Sequence, residues 1–282
     1  MAPKTDVSSS GKAAPQTKVT GKVVLLAKSP QLYWFSAHVA SIVSFAAWQV
    51  FGIFSRKQAQ RYSRLTLFFQ LACYAIVIKQ SVKLSPANLK VQLLRNENVQ
   101  YFVFAAVLLA TSVQLEPWTK AVMPFMIYSF FHAMTYFQKN LLEHAPLSLH
   151  TQAALDGRIT YIASNFNLQA LFFASFSELM LLLDIALGIP GLLFSVFRNP
   201  LYVVFFTLRS FAVLVFLKLR YDESQYTKQA VQQMDARISV FLSNPMVPPQ
   251  LGAIYFGPVK SAVVKYAGMV LIPKIASQKK TQ

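Results

Sequence analysis

Apolar residues fall into six runs along this chain, at 31–54, 65–78, 99–115, 121–137, 166–187 and 201–217, each closed by charges, prolines or glycines. A helix needs about 20 apolar residues to cross a hydrocarbon core of ~30 Å. The first and fifth runs meet that length, whereas "LTLFFQLACYAIVI", fenced by Arg64 and Lys79, is marginal. Between the third and fourth runs stands "LEPWTK", where Glu116, Pro117 and Trp118 suit a membrane interface, so these two predict a helical hairpin. The fifth and sixth are divided by "GIPGLLFSVFRNP", in which Gly188, Pro190 and Gly191 predict the end of one helix and Pro200 the first turn of the next. The pattern is that of an all-α, multi-span integral membrane protein built of helical hairpins, with four to six membrane segments in a domain at 31–218.

Beyond residue 219 the chain is more polar but keeps helical stripes. Over 226–243, Val231, Met234, Ile238, Phe241 and Leu242 are spaced for one helix face. After the breaker-rich "NPMVPPQ", the segment 258–272 sets Val259, Val263, Tyr266 and Val270 on one face, flanked by Lys260 and Lys265. Such a helix sinks its apolar face ~5–10 Å into the bilayer surface while the lysines snorkel to the headgroups. These six side chains are therefore the expected membrane-binding face of a cytosolic region at 219–282. At the other end, residues 1–30 hold five lysines against one aspartate and little apolar material, which predicts a disordered basic tail. Its apolar patch "VVLLA" is too short for a signal-peptide core.

Composition agrees with this pattern and adds an orientation. The 282 residues are 55% hydrophobic and 13% charged, with 24 Phe, too apolar for a soluble domain of this length. The 27 Lys and Arg against 10 Asp and Glu give a net charge of +17, which favours anionic headgroups and gives no specific sign of nucleic-acid binding. Lys and Arg accumulate in cytosolic loops. With six crossings and a cytosolic N-terminus, 20 basic residues are cytosolic and 6 are not. Both termini are thus expected in the cytosol. The exception is "SRKQAQRYSR" at 55–64, whose four cations fall on the wrong side. A first hairpin over 31–78 that enters only as a shallow wedge would resolve the conflict, and six ordinary spans with an imperfect charge pattern remain the alternative.

Candidate chemistry is sparse. Cys73 is single and sits in an apolar run, so neither a disulfide framework nor a paired-cysteine metal site is expected. His132 in "SFFHAMTYF" is an intramembrane ionisable group without a neighbouring nucleophile, and reads as a packing histidine. His144 and His150 lack the i, i+4 spacing of a metal pair. With no phosphate loop, nucleophile elbow or metal cluster, an enzyme is not expected, and no cofactor is implied. Glu178 and Asp184 in "SFSELMLLLDIALGIPG" point ~120° apart on a helix and form no site together. Counted from a turn at Gly188, Glu178 and Arg209 both lie ~14–15 Å deep, predicting an intramembrane ion pair, with Asp184 and Arg198 pairing near the interface. The rival function is a channel or transporter that uses Glu178 and Arg209.

The last four residues, "KKTQ", place Lys279 and Lys280 where a cytosolic dilysine retrieval signal for the endoplasmic reticulum would have them. "YSRLTLFFQLACYAIVIKQ" (62–80), "MIYSFFHAMTYFQKNLLE" (126–143), "FFASFSELMLLLDIAL" (172–187) and "FLKLRYDESQYTKQAVQQM" (216–234) resemble, in the same order, segments of the transmembrane protein 33 family, which includes the small pore-membrane nucleoporin of yeasts. The resemblance runs from about 31 to 243. It implies a multi-pass protein of the endoplasmic reticulum and nuclear envelope that organises tubular membrane and serves nuclear pore assembly or distribution. Its implied partners are the lipid bilayer, reticulon-type shaping proteins and nuclear pore components. Hairpin wedging and curvature-sensitive amphipathic helices would supply the mechanism.

Overall fold

The computed structural model describes residues 29–81 and 89–272. Residues up to 28, as well as Lys279 and Lys280, lie outside the described residues, and with them most of the basic tail and the whole dilysine signal.

All regular structure among the described residues is helical: α1 (Pro30–Gly52), α2 (Arg56–Ser81), α3 (Leu89–Arg95), α4 (Glu97–Thr111), α5 (Thr119–Tyr136), α6 (Leu149–Leu179), α7 (Leu181–Ser195), α8 (Pro200–Glu223), α9 (Gln225–Leu242), α10 (Pro249–Ile254) and α11 (Lys260–Gly268). Three of these stretches are long and apolar enough to cross a membrane, namely Pro30–Gly52, the nearly continuous Leu149–Ser195, and Pro200–Glu223. Polar side chains start several helices by accepting from backbone N–H groups that have no partner within the helix. Ser29 accepts from Leu32 N, Asn96 from Asn98 N and Val99 N, and Asn199 from Tyr202 N.

α1 and α2 form the most extensive helix pair, with α5 packed on α1, and α4 bridging α2 to α8. The α1–α2 seam is made of small or polar side chains, Ala37, Ser41 and Ser44 facing Ala59, Ser63 and Thr66, all buried. Small residues let helix backbones approach where hydrocarbon provides no hydrophobic drive between helices. Hydrogen bonds fix the register: Gln70 Nε2 donates to Ser41 Oγ and Ser129 Oγ, both at 2.7 Å, and His38 Nδ1 lies 2.8 Å from Ser129 Oγ. An aromatic core fills the space among α2, α4, α5 and α8, with Phe104 stacked on Phe216 at 4.3 Å and Tyr74 stacked on Tyr101 at 5.7 Å.

Three boundaries differ most from the sequence pattern, and one is the start of α6, which opens at Leu149 and not at 166. The basic stretch 55–64 is not a loop, because Arg56 already opens α2, and a run free of Gly and Pro continues the helix into the apolar segment. The difference with most effect on the site concerns "GIPG". The helix does not stop there but runs through Pro190 to Ser195, so the turn between α7 and α8 falls at 196–199. A proline inside an apolar membrane helix loses one backbone hydrogen bond but is tolerated when neighbouring structure compensates. Gly188 serves packing instead of termination, since a Cβ there would run into the Phe206 ring of α8.

This later turn staggers the bundle. Arg209 follows Pro200 by nine positions, yet its Nη1 donates to the Glu116 carbonyl in the α4–α5 loop at 2.7 Å. The α7–α8 hairpin therefore overhangs that loop by ~14 Å at 1.5 Å per residue. Leu193, Phe194, Phe197, Leu201 and Val204 in the overhang are between 54% and 94% exposed.

Replacing Gly188 with Val should displace Phe206 and loosen the hairpin by about 1–3 kcal/mol, the usual cost of overpacking. Unfolding of purified protein in detergent measures it. Gly191→Ala, with nothing within 4 Å of its added Cβ, should leave the midpoint unchanged.

Candidate functional site

The charged residues predicted to pair do not pair with one another. Glu178 lies 17 positions before Ser195, or ~26 Å above the end of α7, whereas Arg209 is only ~14 Å up α8. The shared depth inferred from a turn at Gly188 disappears once the turn moves to 196–199. Arg220, twenty positions into α8 and thus ~30 Å up, is the cation at the level of Glu178.

An upper ionic centre results. Arg220 lies between two carboxylates, with Nε at 3.6 Å from Glu178 Oε2 of α6 and Nη1 at 2.9 Å from Glu97 Oε1 at the start of α4. These contacts are Coulombic and lack hydrogen-bond alignment. The guanidinium also sits over the Tyr101 ring, 5.1 Å from its centroid. Tyr101 donates its hydroxyl proton to Glu178 Oε1, and its oxygen is 3.2 Å from that of Tyr128. Glu178 and Arg220 are 1% and 3% exposed, so each is the other's principal neutralising group.

In the lower centre, no carboxylate among the described residues is paired with Arg209. Its Nε donates to Thr111 Oγ1 at 2.9 Å, its Nη1 to the Glu116 carbonyl, and its guanidinium lies 5.0 Å from the Trp118 ring centroid. Asp184 is likewise taken by a residue other than the expected one, since Lys120 at the start of α5 approaches Oδ1 to 2.6 Å. Arg198 stands exposed in the turn. The physical reason is again geometric, because Asp184 is eleven positions before the end of α7 and Arg198 is beyond it.

His132 stands 5.3 Å, ring to ring, from His38, and it is His38 that makes the buried interhelical hydrogen bond. Among the described residues no three His, Cys, Asp or Glu side chains are placed to hold a metal ion. Of these arrangements, the signal for Arg220 was present in "LKLRY", but its position after the last apolar run placed it outside the membrane domain. Gln70, Tyr101 and Lys120 carried no sequence signal of their own.

At the C-terminal end the expected helix over 258–272 is shorter and differently turned. A π-helical turn over Tyr255–Val259 contains Pro258, α11 ends at Gly268, and Val270 lies past it. Tyr266 bonds the Leu214 carbonyl of α8 and so faces protein, while Lys260 is held 3.0 Å from Asp235 of α9. Val259, Val263 and Val270 are exposed, as is Lys265. Tyr255 also donates to Asp235, at 2.8 Å. Together Lys260 and then Tyr255 hold the Asp235 carboxyl below its ordinary range.

The family described as transmembrane protein 33/nucleoporin POM33 matches residues 13–268, reaching beyond the 31–243 of the resemblance at both ends. The chain is 29% identical over 241 residues to the pore and endoplasmic reticulum protein of 33 kDa of Saccharomyces cerevisiae, covering 82% of this chain and 88% of that protein. It is 25% identical to tetra-spanning protein 1 of Schizosaccharomyces pombe, over 81% of each chain. To nucleoporin POM33 of Chaetomium thermophilum it is 25% identical, over 89% of this chain and 91% of that one. No solved structure matches the chain.

Two outcomes follow from this geometry. Arg220→Leu leaves Glu178 buried without its cation, a defect of about 3–5 kcal/mol. It should lower membrane abundance and detergent stability more than Arg198→Leu, and pairing it with Glu178→Leu should recover part of the loss. The Asp235 clasp should respond to acid: with its folded pKa depressed, its stabilisation is present above the unfolded value of about 3.9 and is lost as pH falls through the folded value. Protection from hydrogen exchange over 249–268, relative to the intrinsic rate at each pH, should therefore fall below pH ~4, and Asp235→Asn should reproduce the loss at neutral pH.

Proposed function

The chain belongs to the transmembrane protein 33/nucleoporin POM33 family, and from that premise we propose that it is a non-enzymatic organiser of membrane shape in the endoplasmic reticulum and nuclear envelope. It contributes to tubular membrane and to the assembly or distribution of nuclear pores. The names of its relatives, a pore and endoplasmic reticulum protein and a nucleoporin, support that placement. Reticulon-type proteins and pore components are its expected partners, and both termini face the cytosol.

One observation carries the mechanism, the ~14 Å stagger between the α7–α8 hairpin and the rest of the bundle. That offset is about half of a ~30 Å hydrocarbon core. Around the overhang the protein offers lipid the apolar side chains of Phe194, Phe197 and Leu201. On the other flank, at the level of the α4–α5 loop, it offers Arg56 paired with Glu116 and Lys120 paired with Asp184. No flat leaflet covers the first set and leaves the second in contact with headgroups. The bilayer meets such a mismatch by thinning, tilting or bending. Several helices occupy the cytosolic side of the bundle and only two continue past it, so the area taken from the cytosolic leaflet is the larger, which favours a convex cytosolic surface.

The C-terminal helices add to this effect. Leu251, Ile254, Val259 and Val263 present an exposed apolar strip beside α8, suited to shallow insertion at the headgroup level. The net charge of +17 draws the surface towards anionic lipid. The transport alternative rested on Glu178 and Arg209 acting together, and they lie in separate centres with separate partners.

Reconstituted into vesicles of mixed diameter, the labelled protein should be denser per unit area in the smallest ones. Replacing Phe194 and Phe197 with Asn should flatten that dependence while the protein stays folded. A density independent of vesicle diameter in the unaltered protein would falsify the mechanism.

A further inference from the structure

α4 and α8 run antiparallel, tied near one end by Glu97 on Arg220 and near the other by Thr111 on Arg209. Between these ties a cleft of about 300 Å³ follows the seam, with Leu93 and Leu94 of α3 against its upper end. Two rows of side chains wall it. Val99, Val103 and Val107 recur at every fourth position on α4, and Phe211, Val215 and Leu219 do so on α8. Each row is ~12 Å long at 1.5 Å per residue. The floor is the stacked pair of Phe104 and Phe216, both buried, with ring planes 10° apart. Val103 and Phe211 are 54% and 64% exposed, so the cleft opens sideways to whatever surrounds the bundle.

Among the described residues that line this seam, Gln100 is the only polar side chain. It is 4% exposed and stands at the α3 end. Its Nε2 donates to the Leu94 carbonyl at 2.7 Å, which fixes the orientation of the amide and leaves Oε1 as an acceptor. That oxygen has no hydrogen-bond partner among the described residues. A buried acceptor without a donor carries an uncompensated desolvation cost, so a ligand that brings one donor gains what the fold leaves unmet. Beyond Gln100, Arg95 of α3 and Glu223 of α8 approach to 3.8 Å, which makes this the polar end of the seam.

We propose that the cleft binds one sterol, its hydroxyl donating to Gln100 Oε1 and its rings lying along the Phe104–Phe216 floor between the two rows. The lining favours a ligand that is apolar over ~12 Å, uncharged, and furnished with a donor at one end only. Its volume is at the lower end of ligand pockets, room for one narrow body. A fused, planar ring system makes continuous van der Waals contact with straight walls and a flat floor, and being rigid it loses little conformational freedom on binding. The acyl chain of a phospholipid has no donor to offer Gln100. A diacylglycerol has one, but it brings two flexible chains to a seam wide enough for a single body. The assignment rests on the α4–α8 seam alone and does not depend on the stagger of the α7–α8 hairpin.

Competition against tritiated cholesterol on the purified full chain in detergent tests it. Cholesterol should bind saturably, and 4-cholesten-3-one, whose ketone can accept but not donate, should compete at least tenfold less well, the equivalent of ~1.4 kcal/mol. Dioleoylglycerol should also compete at least tenfold less well than cholesterol. Absence of saturable binding, or equal competition by the ketone, overturns the proposal on the unaltered protein, and equal competition by dioleoylglycerol overturns the choice of a sterol. Val103→Trp, at an exposed position, should fill the cleft and weaken cholesterol binding at least tenfold, and unchanged affinity would place the site elsewhere. Gln100→Leu should abolish the preference for cholesterol over its ketone, and a preference that survives would overturn the role of Gln100. Thermal unfolding in the same detergent reports whether each variant is folded, and the ligand series on the unaltered protein decides the matter if Gln100→Leu is not.

Discussion

Arg220 keeps its charge inside an apolar bundle because two acids from two other helices come to it. Glu178 arrives from α6 and Glu97 from the start of α4, with the Tyr101 ring beneath the guanidinium. Breaking such a buried pair costs more than the pair ever contributes, since the surviving charge has no water to turn to. The relative heights of α4, α6 and α8 are therefore tied together at one point. The aromatic stack of Phe104 on Phe216 and the position of the α7–α8 turn both follow from that height. So does the overhang, because α8 must begin ~30 Å below Arg220.

A second group of polar contacts settles the other half of the bundle by different means. Gln70, Ser41, Ser129 and His38 link α1, α2 and α5 through neutral hydrogen bonds, each worth ~0.6 kcal/mol on average in a membrane helix pair. Beside them Ala37, Ser44, Ala59 and Ser63 are small enough to let α1 and α2 approach closely. One half of the molecule is thus held by charge and the other by small neutral contacts, and a cleft beside Tyr74 and Tyr128 lies where the two halves meet.

The cores of the apolar helices were readable in the sequence, and several of their ends and all of the partner choices were not. Run lengths closed by charges and prolines place α1, α4 and α5 within four residues and α8 at its start, and the single-sided stripe over Val231, Met234 and Ile238 marks α9. Gly188, Pro190 and Gly191 misled because a breaker in water is only a weak breaker inside a continuous apolar helix, where no solvent competes for the backbone. That error of eight positions, from Gly188 to Val196, shifts depth by ~12 Å and exchanges Arg209 for Arg220 as the partner of Glu178. Ion pairs between helices are set by turn position, so they inherit its full uncertainty. Lys120 and Thr111 were hidden for a further reason: they lie on helices that only the packing brings beside α7 and α8.

The separation of Glu178 and Arg220 along the chain bears on how the molecule is made. The acid is synthesised 42 positions before the base that neutralises it. When α6 and α7 leave the ribosome they carry an unmatched carboxylate, and the overhanging turn must pass before α8 delivers the guanidinium. Release of α6 and α7 into lipid as a lone segment is thus unfavourable until Arg220 has emerged. The Glu178 carboxylate thus gains its buried partner only once α6, α7 and α8 have all been made, which couples the three helices as one packing unit.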